Sequence, residues 1–280
     1  MRIRAVSVAV MALALQFALV EVAQAAPCAY RPAHKVVRAT VSDFLSVVVT
    51  RSGDQIQLVV DNTVVPCGAA TVTNTDRVVV TGTGGSSDTF FANFLGVGEN
   101  VGRLGPGPTP ESSGQSEIEI RFDVTPGNSV FPPQDPLPLY FQYVGSSAQD
   151  RLTMGSKGAD LSGDGDLDVT SSHGFQGAWL FGVGGGDVLT LAGGGDAGAP
   201  FAFPSQMDGG NGKDRLTGGT ADDQITGGNG RDSLAGGLGN DTLMANDGLA
   251  DGVDGGDGDD TAYVDDALDT VTNVEHVIIS

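Results

Sequence analysis

Residues 209–244 read GGNGKDRLT, GGTADDQIT, GGNGRDSLA and GGLGNDTLM, four nine-residue units in succession without a slip of register. Set beneath one another, they place Gly at the first two positions, Gly at the fourth in three of the four units, Asp at the sixth and an aliphatic residue at the eighth. Paired glycines admit left-handed backbone angles and let main-chain carbonyls approach a neighbour closely, while an x-aliphatic-x triplet is long enough only for a very short strand. One unit is therefore a turn plus a strand, half of a coil. Two units bring the chain back above its starting point.

The phase extends beyond the clean copies. Counting back in nines, 200–208 puts Met207 at the aliphatic place, 191–199 puts Asp196 at the sixth place, and 182–190 brings Asp187 and Leu189 into phase. Counting forward, 245–254 fits with one extra residue and supplies Asp251 and Val253, and 255–263 supplies Asp260 and Ala262. Upstream, the triplets Arg151-Leu152-Thr153, Asp160-Leu161-Ser162 and Asp168-Val169-Thr170 keep the rhythm at altered spacing. The repeat zone is thus 145–263, clean over 209–263.

Two units per coil stack residues eighteen apart on one edge, about 4.8 Å from each other along the axis. One edge then carries Asp196, Asp214, Asp232 and Asp251, and the other Asp187, Asp223, Asp241 and Asp260, with Ser205 interrupting the second series. Unit charges about 5 Å apart repel by about 1 kcal/mol in water and about 3 kcal/mol at an effective dielectric of 20, so such columns demand a counter-ion. Carboxylates are hard oxygen ligands, which points to Ca2+. One obligate aliphatic residue per nine buries too little apolar surface to offset the ordering of the backbone, so this zone is expected to fold only when metal binds.

The pattern resembles the glycine-rich calcium-binding repeat of hemolysin-type (RTX) proteins, a known nonapeptide repeat. The resemblance implies an all-β fold, a right-handed parallel β-roll or β-solenoid, in which the sixth-position carboxylates hold the ion together with main-chain carbonyls of the glycine turn. Carried over residue by residue, it nominates Asp187, Asp196, Asp214, Asp223, Asp232, Asp241, Asp251 and Asp260, with the turn glycines Gly209, Gly218, Gly227, Gly236 and Gly255. Ala221 in place of a turn Gly and Ser205 in place of an Asp depart from the pattern, and those sites are expected to be weak or empty.

The N-terminus reads Arg2 and Arg4, an apolar stretch over 5–20, then Ala23-Gln24-Ala25. This is the layout of a signal peptide over 1–25, cleaved after Ala25, with Ala26 as the second choice, and it makes the mature protein secreted, extracellular and free of a membrane span. Pro27 before Cys28 does not fit a lipoprotein site. In an oxidising compartment a disulfide between Cys28 and Cys67 is the better reading, with two buried free thiols as the alternative. The net charge of −21 excludes nucleic acid and argues against docking on anionic lipid. The expected partners are calcium ions and cell-surface or matrix components.

Between 26 and 144 the chain is β-rich and helix-poor, and Glu117-Ile118-Glu119-Ile120-Arg121-Phe122 alternates with a period of two. An eroded continuation of the solenoid and a small β-sandwich both fit this region, the echoes Asp76-Arg77-Val78 and Asp88-Thr89-Phe90 favouring the solenoid. Residues 105–110 read as a surface loop, and Pro132, Pro133, Pro136 and Pro138 mark a boundary. Residues 264–280 read as a final strand or cap.

No nucleophile elbow, His-Glu-x-x-His or phosphate loop is present, and His34, His173 and His276 are scattered. The run Asp164-Gly165-Asp166-Leu167-Asp168 is explained better as a degenerate rung than as an EF-hand start. Trp179, Phe175 and Phe181 suit a structural role better than a sugar platform. The chain thus reads as a non-enzymatic, secreted calcium-binding protein that folds on the metal, with surface assembly or adhesion as its role. The alternative is a secreted hydrolase or toxin-like protein carrying an RTX module.

Overall fold

The computed structural model describes residues 28–42, 46–60, 63–83, 90–95, 119–125, 139–145, 147–161, 167–172, 174–265 and 268–279. The expected signal peptide, the loop at 105–110, the proline cluster at 132–138, His173 and the run 164–166 lie outside them. Among the described residues there is no α-helix, only the single 3-10 turns Pro32–His34 and Gly195–Ala197, and no helix long and apolar enough to cross a membrane.

Each clean nonapeptide contributes one core strand, and successive core strands go to opposite sheets, while the turn segments Gly184–Gly185, Asn211–Gly212 and Asn229–Gly230 pair in parallel as a small third sheet. Arg215–Thr217, Ser233–Leu238 and Gly252–Asp257 lie in a twelve-stranded sheet, and Gln224–Thr226, Thr242–Ala245 and Thr261–Val264 in an eleven-stranded one. Neighbours within a sheet are parallel, with Leu216 beside Leu234 and Ile225 beside Leu243. Period-two alternation in a three-residue strand turns only the middle side chain inward. Leu189, Leu216, Leu234 and Val253 of one sheet and Met207, Ile225, Leu243 and Ala262 of the other are accordingly buried in one continuous core.

The same two sheets run on upstream. Val36–Ser42, Arg77–Thr83 and Glu119–Thr125 pair in parallel in the first. Ser46–Ser52, Phe90–Leu95 and Leu139–Val144 do so in the second. The solenoid reading of 26–144 therefore describes these strands, in longer coils whose interior is filled by several apolar residues per strand, such as Val37, Ala39 and Val41, instead of one or two. At this end the winding gives way to antiparallel pairing: Ala29–Arg31 folds on Val36–Ser42, and Gln55–Val60 and Thr63–Thr71 extend the second sheet as a meander. A disulfide joins Cys28 to Cys67 and so ties the outer strands of the two sheets together.

Two expectations are corrected. The triplets at Asp160 and Asp168 are not ordinary rungs: Gly158–Asp160 and Val169–Ser171 fold back antiparallel and insert two extra strands between Arg151–Gly155 and Glu119–Thr125. The unit 191–199 is an excursion of the chain containing the 3-10 turn at Gly195–Ala197, so that Val188 pairs with Arg215, one nonapeptide further on than the clean coils. Of the aromatics, Phe175 is interior, edge-on to Phe141, whereas Trp179 is half-buried and stacked on Tyr140 with ring centroids 5.1 Å apart. One face of each ring covers the other, in keeping with a structural role. At the other end Thr270–Thr272 and His276–Ile279 add one more coil, and Val277, Ile278 and Ile279 stay exposed on it.

Candidate metal centre

The turns between strands form two edges of the coil. One edge carries Asp187, Asp214, Asp232 and Asp251 in a column, and the other Ser205, Asp223, Asp241 and Asp260. Asp187 therefore lies on the edge opposite to the one expected, in the place assigned to Asp196, and Asp196 is exposed in the excursion and on neither column. The excursion is one nonapeptide long, so it preserves the nine-residue phase while exchanging the two edges.

In each column one carboxylate oxygen stitches adjacent coils. The Asp187 N–H donates to Oδ1 of Asp214 at 2.7 Å, Asp214 N–H to Asp232 Oδ1 at 2.8 Å, and Asp232 N–H to Asp251 Oδ1 at 2.7 Å. Across the coil Asp223 N–H donates to Asp241 Oδ1 and Asp241 N–H to Asp260 Oδ1, both at 2.7 Å. The column continues past the expected residues at both ends. Asp150 N–H donates to Asp187 Oδ1 at 2.7 Å, Asp251 N–H to Asp269 Oδ1 at 2.9 Å, and Asp260 N–H to Glu275 Oε2 at 2.9 Å.

The second oxygen has a different environment. Oδ2 of Asp187, Asp214, Asp232, Asp241, Asp251 and Asp260 is buried without a hydrogen-bond partner. Such a group costs about 1–3 kcal/mol, and more when it is charged. Each of these oxygens except that of Asp251 lies against the first glycine of its own turn: Gly182, Gly209, Gly227, Gly236 and Gly255. A methyl group built on Gly209 would sit 2.5 Å from Asp214 Oδ2 and 2.5 Å from the Gly227 carbonyl oxygen of the next coil. The absent side chain thus leaves a cradle walled by a carboxylate oxygen and a main-chain carbonyl oxygen.

Burial drives these carboxyls upward, only partly offset by the main-chain N–H that each accepts. Asp187 and Asp241 reach about 7 and Asp251 about 6, and the neighbouring carboxylates push in the same direction. Asp214, Asp232 and Asp260 are raised for the same first cause, burial. A buried anion with an unpaired oxygen takes either a proton or a cation. Among the described residues no three His, Cys, Asp or Glu side chains converge on one point, so a soft or nitrogen-rich metal centre is absent there. One carboxylate per turn with carbonyl oxygens around it is the donor set of a hard cation, Ca2+.

Gly218 and Asp223 occupy the expected places, but Asp223 is satisfied within the protein. Its Oδ1 accepts the Ser205 N–H and hydroxyl, both at 2.8 Å, and its Oδ2 accepts the Gly219 N–H at 2.7 Å. The residues that sequence reasoning missed are Asp150, Asp269 and Glu275. Asp150 was visible, because 145–153, GSSAQDRLT, has Gly first, Asp sixth and Leu eighth. Glu275 was not, because its short turn follows Asp260 by only fifteen residues and reaches the column through a longer side chain.

Residues 208–243 match the family model of the RTX calcium-binding nonapeptide repeat, in four copies. RTX nonapeptide repeats bind Ca2+, and calcium is the ion of this chain on that ground. Comparison with curated proteins and with solved structures finds no match.

Proposed function

We propose that this is an exported calcium-binding solenoid whose coils from about residue 182 onward wind at neutral pH only when Ca2+ enters the turns. The observation that carries the reading is the set of six column carboxylates, each with one buried oxygen that has no partner in the protein and so takes a proton or a cation. The bound ion supplies the positive charge that the columns lack. The chain's own parts do the rest: the six open carboxylates would hold the ion with Oδ2 while Oδ1 fixes the coil spacing, the first-position glycines keep the cradle open, and the buried aliphatic residues of each strand close the interior behind the site. Binding energy and folding energy are then one quantity for this zone.

Export is supported by the basic, apolar and small-residue order of the first 25 residues and by a disulfide, a bond that persists in oxidising compartments. Outside the cell calcium is plentiful, so winding follows export. A rigid repeat rod with a strongly acidic surface suits surface assembly or adhesion. Circular dichroism and titration calorimetry on the mature, disulfide-intact chain test the reading: strand signal rises steeply with added calcium and several ions bind. A strand signal indifferent to calcium contradicts it. The surface role is tested separately by calcium-dependent self-association or cell binding, and it fails if neither occurs.

A further inference from the structure

Asp223 differs from the six open carboxylates in a way that has a local cause. In the open turns the second residue has a left-handed backbone, with φ of 77° at Val183, 89° at Gly210, 97° at Gly228, 111° at Gly237 and 104° at Gly256, whereas Gly219 is not left-handed. Its amide instead donates inward to Asp223 Oδ2 at 2.7 Å, at the oxygen that is bare elsewhere.

The residue two places before the carboxylate separates the two kinds of turn. It is glycine before Asp187, Asp214, Asp232, Asp241 and Asp260, and alanine, Ala221, before Asp223. Gly185, Gly212, Gly239 and Gly258 have φ between 114° and 159°, a conformation that a β-carbon disfavours; Gly230 is not left-handed, but a β-carbon there would run into the Gly212 carbonyl oxygen of the neighbouring coil. Ala221 does not adopt it, and the turn takes another path. The remaining open turn, that of Asp251, is one residue longer and has Gly248 at a φ of 91°. A second closed turn behaves as Asp223 does. Asp269 Oδ2 accepts the Asp265 N–H at 2.6 Å, from the same four residues upstream, and the sequence again has alanine, Ala267, two places before the carboxylate.

Resting on the calcium reading above, we propose that the turn 218–223 holds no calcium with Asp223. Its charge is balanced by three internal donors, and Ala221 closes the turn, so that the calcium row on this edge begins at Asp241. Asp223 is a positioning residue that joins the turn at Ser205 to the coil at Asp241. The protein thereby contains hydrogen-bonded rungs and metal rungs with nearly the same sequence, told apart by one methyl group.

Native mass spectrometry of the mature, disulfide-intact chain in calcium alone counts the ions. Relative to wild type, Asp232→Asn is expected to lose at least one ion, Asp223→Asn none, and Ala221→Gly to gain one. Loss of an ion in Asp223→Asn, or an unchanged count in Ala221→Gly, overturns the proposal. Ala221→Gly removes only a methyl group and keeps the test decisive if Asp223→Asn does not fold. If Asp232→Asn and wild type carry the same number of ions, the calcium reading itself falls; if only the Asp223 and Ala221 results depart, this inference alone falls.

Discussion

A single carboxylate carries two tasks in this molecule, and its two oxygens divide them. Oδ1 of Asp214 is bound to a backbone amide and sets the distance between coils, while Oδ2 faces the space left by Gly209. Gly209→Ala fills that space without touching the charge, so it is expected to remove calcium from this turn and to lower stability in calcium by about 1–3 kcal/mol, measured as a urea midpoint beside an ion count. Val183 is the opposite case. It holds φ at 77° in a place where the clean repeats have glycine, a cost of about 1–2 kcal/mol for a residue with a β-carbon. Val183→Gly is expected to raise stability in saturating calcium by about 1 kcal/mol, read by the same denaturation curve. Protonation gives a further prediction at this scale. Asp187, Asp241 and Asp251 have carboxyls raised by burial from 3.8 to about 7, about 7 and about 6. The folded form therefore binds these protons more tightly than the unfolded chain does, so in chelator the coil is most stable below about pH 4 and loses that stability as pH rises through about 6 to 7. In calcium, protons compete with the ion and affinity increases with pH over the same window. Circular dichroism in chelator and calcium titrations at pH 5 and pH 8 check both signs.

At the scale of elements, the nonapeptide fixes a strand and a turn but not which edge the turn joins. The units from 209 to 263 were legible because each aliphatic and each carboxylate falls in phase and no other element intervenes. The unit 191–199 was misread for a physical reason: an excursion of one repeat length leaves the phase intact, and only the hydrogen bond from Asp187 to Asp214, across 27 residues instead of 18 or 19, exposes the exchange. The excursion has its own packing, with the Ser156 and Lys157 amides donating to the Ala199 and Ala197 carbonyls, which the repeat pattern does not encode. The closure at Asp223 was legible in part, since Ala221 broke the glycine pattern, but the turning of the Gly219 amide is a backbone event with no letter of its own. Upstream, alternation announced strands, yet their pairing into coils depends on contacts some forty residues apart and cannot be read from a local period. The disulfide at that end closes a segment of 39 residues. Its reduction is expected to cost about 4 kcal/mol by chain entropy and to loosen the outer strands first, measured by amide exchange with and without a reductant.

The whole molecule has two kinds of interior under one pair of sheets. Coils near the N-terminal end are filled with several apolar side chains per strand, and the later coils have only one or two per strand, so that on the proposed reading a cation between turns makes up the difference. The net charge of −21 works against winding in the absence of cation, by self-repulsion spread over the later coils. Stability is therefore unequal along the axis, and calcium removal should melt the coils from about residue 182 onward while Val36–Ser42, Arg77–Thr83 and Glu119–Thr125 keep their protection. The direct measurement is hydrogen–deuterium exchange of the disulfide-intact chain at neutral pH in calcium and in excess chelator, following the amides of Asp214, Asp232 and Asp241. They are expected to be protected in calcium and to exchange at unfolded rates in chelator. Equal protection in both conditions would contradict the claim that a bound cation holds these carboxylate columns together.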